Sequence, residues 1–181
     1  MRILQGMQVL QVIPQKSLSR QVPTENLQRM TLKQMAGIIQ FMNSFNFYSP
    51  LQVRYGDLDP QWHVNNTHFV MFLEQARFTY LTHVGLFDGK SFFDLRLIVA
   101  DVHVTYRAPI DLEQKIRVGC RVSHIGNKSL TFEYQIEEEG TGLIFATAET
   151  IMVAYDYHTH QSIQVSQEWR SKITAFEGKE F

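Results

Sequence analysis

The segment NTHFVMFLEQARFTYLTHVGL, residues Asn66–Leu86, decides how this chain folds. Its apolar residues Phe69, Val70, Met71, Phe72, Leu73, Ala76, Phe78, Tyr80, Leu81 and Val84 fill most of the circumference of a helix. Asn65 or Asn66 can cap the start, and Gly85 stops the far end. At about 1.5 Å per residue such a helix is about 30 Å long. A helix that is apolar nearly all round is a buried helix, not a surface one. The rest of the chain must therefore supply its cover.

Working outward, the preceding stretch Phe47–Tyr55 alternates and reads as a strand, with Pro50 moving it to an edge or a bulge. After the helix come four strands with little between them. Ile98, Ala100, Val102, Val104 and Tyr106 alternate with Asp101, His103 and Thr105; Ile116, Val118, Cys120 and Val122 alternate with Lys115, Arg117 and Arg121. A turn at Gly126-Asn127 leads to Leu130, Phe132, Tyr134 and Ile136, and Leu143–Tyr155 is apolar on both faces, as a central strand should be. Gln167–Phe176 has the pattern of a short closing helix. A strand, a buried helix and an antiparallel meander satisfy one another when the sheet wraps the helix. That is the α+β hotdog arrangement, here with a five- to six-stranded antiparallel sheet.

Three parts are expected: an N-terminal extension over 1–46, a hotdog domain over 47–160 and a C-terminal tail with a short helix over 161–181. In the extension, Leu27, Met30, Met35, Ile38, Ile39 and Met42 recur at helical spacing behind Thr24 or Asn26. It reads as a variable helical extension, as residues upstream of a start at Met30 or Met42, or as a targeting peptide without a secretory core or cleavage site. The extension carries a net charge of +4, which leaves −5 for the rest of a chain whose total is −1.

With 17 basic and 18 acidic residues among 181, no charge excess favours broad nucleic-acid binding. The 44% hydrophobic content argues against disorder along the whole length. A single cysteine, Cys120, excludes an intrachain disulfide framework and suits a reducing compartment. No apolar run approaches the ~20 residues of a membrane span. The expected location is cytoplasmic.

The chemistry lies between the first strand and the helix. Asp57, Asp59, His63, Asn65 and Asn66 place two carboxylates, an imidazole and two amides within ten positions that end on the first helical turn. A helix N-terminus offers unpaired N–H groups and the positive end of the helix dipole to an oxygen gaining negative charge. Acyl hydrolysis needs such donors together with a base or nucleophile, and Asp59 stands just outside the helix start. Turn and cap roles account for the same residue types. A metal site is not expected, because His63 and the aspartates show no recognised ligand spacing, and no cofactor is implied.

The joint pattern Arg54-Tyr55-x-Asp57-x-Asp59-x-x-x-His63-Val64-Asn65-Asn66, followed by Phe69 and Glu74-x-x-Arg77, resembles the signature of 4-hydroxybenzoyl-CoA-thioesterase-like acyl-CoA thioesterases. The resemblance covers roughly Phe47–Tyr157, including Tyr106-x-x-Pro109 and the turn Gly126-Asn127-Lys128-Ser129. It implies a homodimer, or a homotetramer, with active sites at the dimer interface and an acyl-CoA or acyl-carrier-protein substrate. It implies Asp59 as the catalytic carboxylate, either attacking the thioester or activating water, with N–H groups around Asn65–Thr67 polarising the carbonyl. So modest a site suits a thioester, because a thiol leaving group with a pKa near about 8.5 needs little help from a general acid.

His63 resembles the histidine of the same loop in plant acyl-carrier-protein thioesterases, although Gln61 stands where those enzymes place Asn; direct chemistry and loop organisation are both open to it. Asn66 has water positioning or capping open to it, Asn65 and Thr67 line the helix start, and Asp57 reads as structural. Glu74, two turns into the helix, is the alternative catalytic carboxylate or the ion-pair partner of Arg77. Lys128 and Ser129 either cross the dimer interface towards CoA or form a solvated turn, and Arg107 and Arg121 either meet phosphates or lie free on the surface. Two rival functions are a hotdog dehydratase, whose usual His-Phe-Pro or Asp-x-Asn-Pro-x-His motifs do not occur, and a non-catalytic acyl-CoA sensor. The extension is too short, and too poor in helix-turn-helix pattern, to favour the sensor.

Overall fold

A computed structural model describes residues 45–91 and 95–181; the helical expectation for 24–45 lies almost wholly outside the described residues. The elements in chain order are β1 (Tyr48–Gln52), a 3-10 turn at Tyr55–Asp57, α1 (Asn66–His83), β2 (Leu97–Tyr106), β3 (Lys115–Ile125), β4 (Ser129–Glu138), β5 (Ile144–Asp156), β6 (Gln161–Ser162) and α2 (Gln167–Glu177). The strands form one antiparallel sheet in the order β1-β3-β4-β5-β2, with β6 joining the end of β5. This is the hotdog arrangement, with a second helix at the C-terminal end. Pro50 sits on β1, an edge strand, opposite Arg117. β1 is shorter than the alternation suggests because the chain tightens into the 3-10 turn, and α1 stops at His83, shortly before Gly85 takes a φ of +75°.

The sheet lays the inner residues of its central strands on α1. Ile116, Val118, Cys120 and Val122 of β3, Leu130, Phe132, Tyr134 and Ile136 of β4, and Phe145, Ala146 and Met152 of β5 are all buried. They meet Phe69, Phe72, Leu73, Ala76, Tyr80 and Leu81 of α1. Each large side chain buried in this way contributes about 1.5–3 kcal/mol. Among the described residues the helix is not enclosed on every side. Val70 and Met71 are 40% and 50% exposed, and Thr67, Glu74 and Gln75 share that open side. β2 forms the sheet edge on the far side from β1 and is exposed from Ile98 to His103, with a bulge between Val99 and Asp101.

Arg77 turns inward, where its Nη1 donates to the Tyr134 hydroxyl at 3.1 Å. Among the described residues it makes no ion pair with Glu74, which corrects the expected pairing: the two side chains leave α1 on different faces, one buried and one exposed. α2 is fastened through the core. The Tyr80 hydroxyl donates to Glu177 Oε1 at 2.6 Å, and the Val122 N–H, beside a bulge in β3, donates to the same oxygen at 3.2 Å.

Candidate active site

Two tight turns carry the chain from β1 to α1. In the first, Arg54 O accepts the Asp57 N–H at 2.9 Å while Asp57 Oδ2 accepts the Arg54 N–H at 2.8 Å. The other oxygen, Oδ1, accepts from Arg54 Nη2 at 3.1 Å and lies 3.2 Å from His68 Nδ1 in the first turn of α1. The Asp57 carbonyl accepts the Asn65 N–H at 2.8 Å. Asp57 thus ties the turn to the helix start twice, by its buried carboxylate to His68 and by its carbonyl to Asn65. Burial pushes the Asp57 carboxyl up, but the Arg54 N–H, the Arg54 guanidinium and the His68 charge outweigh it and leave its pKa below the ordinary value of 3.8.

A carboxylate depressed in the folded state stabilises the fold above its unfolded pKa, and that stability is lost as pH falls through the folded value. Asp57→Asn is therefore expected to cost about 1–3 kcal/mol at neutral pH, as loss of charged hydrogen bonds does. Its deficit should narrow as the pH drops below 3.8. Denaturant midpoints measured at both ends of that range check this, and a deficit independent of pH would refute it.

The second turn is closed by a Leu58–Val64 bridge, by the Asp59 N–H donating to His63 O at 2.9 Å and by the Trp62 N–H donating to Asp59 O at 3.0 Å. Asp59 is half-buried. Its Oδ1 accepts the Gln61 N–H at 2.8 Å and, at 3.4 Å, the His63 N–H. Its Oδ2 has no hydrogen-bond partner among the described residues. One oxygen is held by the turn and the other is available.

The helix start is more committed than a bare N-terminus. Asn65 is the N-cap, and its Oδ1 accepts the Thr67 N–H at 2.9 Å and the Thr67 hydroxyl at 2.8 Å. The Asn65 N–H goes to Asp57 O and the His68 N–H to Asn65 O. Of the three N–H groups from Asn65 to Thr67, only that of Asn66 has no partner among the described residues. The Tyr106 hydroxyl donates to Asn66 O at 3.2 Å and fixes the same residue from the end of β2.

Asp59, His63, Asn65, Asn66 and Thr67 are thus brought together at one end of α1. His63 Nε2 lies 3.8 Å from Asp111 Oδ1, a loose contact between two exposed side chains. Glu74 is exposed two turns along α1 and without an ion-pair partner among the described residues. Lys128 and Ser129 lie at the opposite end of the sheet. Ser129 pairs with Val153, which pairs with Ile98, whereas the site adjoins Tyr106 eight residues further along β2, about 26 Å away at strand spacing. Lys128 Nζ donates to Ser162 O at 3.0 Å and to its hydroxyl at 3.1 Å. Arg121 is paired with Glu133 at 2.7 Å, while Arg107, beside Tyr106, is exposed.

Sequence reasoning missed His68, Tyr106 and Trp62. His68 is the third helical residue, a position that faces back onto the turn, so its spacing from Asn65 was the available signal. The described residues bring together no group of three or more His, Cys, Asp or Glu side chains suited to a metal ion.

Residues 53–173 match a family model described as the thioesterase-like superfamily. The chain belongs to that superfamily. It is a thioester hydrolase, and the match spans the β1–α1 turns, the helix and the whole meander. It is 27% identical over 123 residues to the long-chain acyl-CoA thioesterase FadM of Escherichia coli (strain K12), covering 68% of this chain and 93% of that one. Among solved structures, a thioesterase from Thermus thermophilus complexed with coenzyme A and zinc is 28% identical with a TM-score of 0.67, over 76% of this chain and 98% of that one. A 1,4-dihydroxy-2-naphthoyl-CoA thioesterase from Synechocystis shares the fold at 17% identity, with a TM-score of 0.62 over 70% of this chain and 94% of that one. No helix among the described residues is long and apolar enough to cross a membrane.

Proposed function

We propose that this thioesterase hydrolyses acyl-CoA to the free acid and CoA in the cytoplasm, with Asp59 as the carboxylate that attacks the carbonyl or activates water. The observation that carries this reading is the division of labour at Asp59: Oδ1 is held by N–H groups of its own turn, and Oδ2 is without a partner beside the start of α1. The Asn66 N–H is the donor that polarises the thioester carbonyl, held in place by the Asn65 cap on one side and Tyr106 on the other. An oriented donor at a helix N-terminus stabilises the developing oxyanion without reorganising. The acyl-CoA substrates named for FadM and the coenzyme A of the Thermus thermophilus complex support CoA as the carrier.

The working unit is a homodimer. Among the described residues β2 offers an unpaired edge, and the side of α1 carrying Val70 and Met71 is open next to Phe69 and Tyr106. Antiparallel pairing of two β2 edges about a two-fold axis sets the Tyr106 end of one against the Ile98 end of the other. Lys128 and Ser129 of the second copy then approach the site, which they do not reach in their own chain. Arg107, at the same end of β2, meets the phosphates of the carrier. Sedimentation distinguishes the dimer from a tetramer.

The test is thiol release from a panel that varies chain length, aromatic acyl groups and the carrier, CoA or acyl carrier protein. Release from CoA thioesters is expected, and no release across the CoA panel sinks the reading.

A further inference from the structure

Tyr55 and Trp62 are among the most exposed large side chains of the described residues, at 72% and 65%. They meet edge to face, with ring centroids 6.2 Å apart, on the solvent side of the turns that hold Asp59. Trp62 has a φ of +65°, a backbone conformation ordinarily left to glycine. A bulky side chain in that conformation is strained, and such strain clusters at functional sites. The ring is held in water, at a conformational cost, one residue from His63 and three from Asp59.

Its surroundings limit what it can receive. The cation next to the pair, Arg54, is committed to Asp57. The other charged groups beside these turns are acidic: Asp59, three residues before Trp62, and Asp111, whose Oδ1 lies 3.8 Å from His63 Nε2. A phosphate-bearing group is disfavoured there. A neutral chain with methyl groups and amides fits better: ring faces cover the apolar segments, and the Trp62 Nε1–H and the Tyr55 hydroxyl remain for the amides.

We infer that Tyr55 and Trp62 form a platform for the pantetheine arm of the thioester, the neutral segment common to CoA and acyl carrier protein. The arm leaves the reacting carbonyl towards solvent, and the pair lies on the solvent side of Asp59. This rests on the thioesterase reading above and adds to it the part of the substrate that the exposed turn grips.

Trp62→Gly is the discriminating variant, because it removes the ring and keeps the backbone conformation at ease. Relief of strain offsets the added freedom of glycine in the unfolded chain, so its melting temperature should stay level or rise. KM for acyl-CoA and for acyl-pantetheine should rise about tenfold, the equivalent of uncovering one ring face, with kcat nearly unchanged. The thioester of N-acetylcysteamine, which lacks most of the arm, should lose less than twofold. On whichever carrier, CoA or carrier protein, the wild type turns over, the same tenfold loss is expected. An unchanged KM for acyl-CoA overturns the inference. So does an equal loss on the N-acetylcysteamine thioester, which would put the ring at the chemistry, or dissociation of the oligomer, which would make it a subunit contact. Should the wild type hydrolyse none of these, the thioesterase reading fails on its own. Calorimetry with a non-hydrolysable acyl-CoA thioether then decides the platform, with a tenfold weaker Kd in Trp62→Gly expected and an equal Kd overturning it.

Discussion

Asp59→Asn is expected to lower kcat/KM for thioester hydrolysis by about a thousandfold or more, in the range that loss of a catalytic base or nucleophile produces. The substitution is nearly isosteric. The amide oxygen can still accept the Gln61 and His63 N–H groups that shape the turn, so the fold has no reason to change. What disappears is the negative charge on an oxygen that no neighbour among the described residues uses. Melting temperature and sedimentation should match the wild type. A variant keeping more than a tenth of the activity would move the chemistry elsewhere, and Glu74→Gln is the companion that locates it. If Glu74 were the carboxylate, its variant would be the inactive one.

Tyr80→Ala should be the most damaging substitution for stability, by about 4–8 kcal/mol. Removing a buried aromatic ring costs about 3–5 kcal/mol, and a buried carboxylate left short of a donor adds about 1–3 kcal/mol. Tyr80 is fully buried, and its ring packs edge to face on Phe47, Phe132 and Phe176 at 5.7, 5.9 and 5.6 Å. Its hydroxyl holds Glu177, the last residue of α2. Against a whole-domain stability of about 5–15 kcal/mol, such a loss leaves a marginal protein. Urea unfolding measures it, and a loss under about 1.5 kcal/mol would refute the packing argument.

Glu177→Gln provides the comparison. Burial pushes the Glu177 carboxyl above its ordinary 4.5, against the opposing pull of the Tyr80 hydroxyl and the Val122 N–H. An acid raised in this way stabilises the fold while neutral and loses that contribution as pH rises through its folded pKa. The glutamine variant should therefore lack the decline in stability that the wild type shows above pH 4.5.

Most of the fold is legible in the sequence because two periods alternate cleanly along it. A helical segment apolar on nearly every face requires enclosure, and strands such as Leu130-Phe132-Tyr134-Ile136 supply one apolar face each. The turn with Asp59, His63 and Asn66 is legible as a cluster, because those residue types crowd ten positions at a helix start. Periodicity does not show which donors remain. That Asn65 consumes the Thr67 N–H and Asp57 the Asn65 N–H is a matter of torsion angles, and only the folded chain reveals Asn66 as the remaining group. One pairing is misread, and one placement is beyond the reach of the pattern. Glu74 and Arg77 are three apart and so within reach on an isolated helix, but burial sends Arg77 to Tyr134. Lys128 is remote from Asp59 in its own chain because strand register, which hydrophobic pattern sets only modulo two, decides which ends of the sheet coincide.

The bulge in β3 couples the C-terminal end of the fold to the register of the meander. Glu177 meets the Val122 N–H across 55 residues and the Tyr80 hydroxyl across 97. Both donors converge on one oxygen only when β3 has taken its place on β4 in the native register. A slip by one position would turn Val122 to the other face of the sheet and leave the carboxylate buried without a donor from the strand. α2 therefore cannot seat on a misaligned sheet at full strength. Its seating depends on the register of the meander, and the exchange rate of the Val122 amide reads whether the two are engaged.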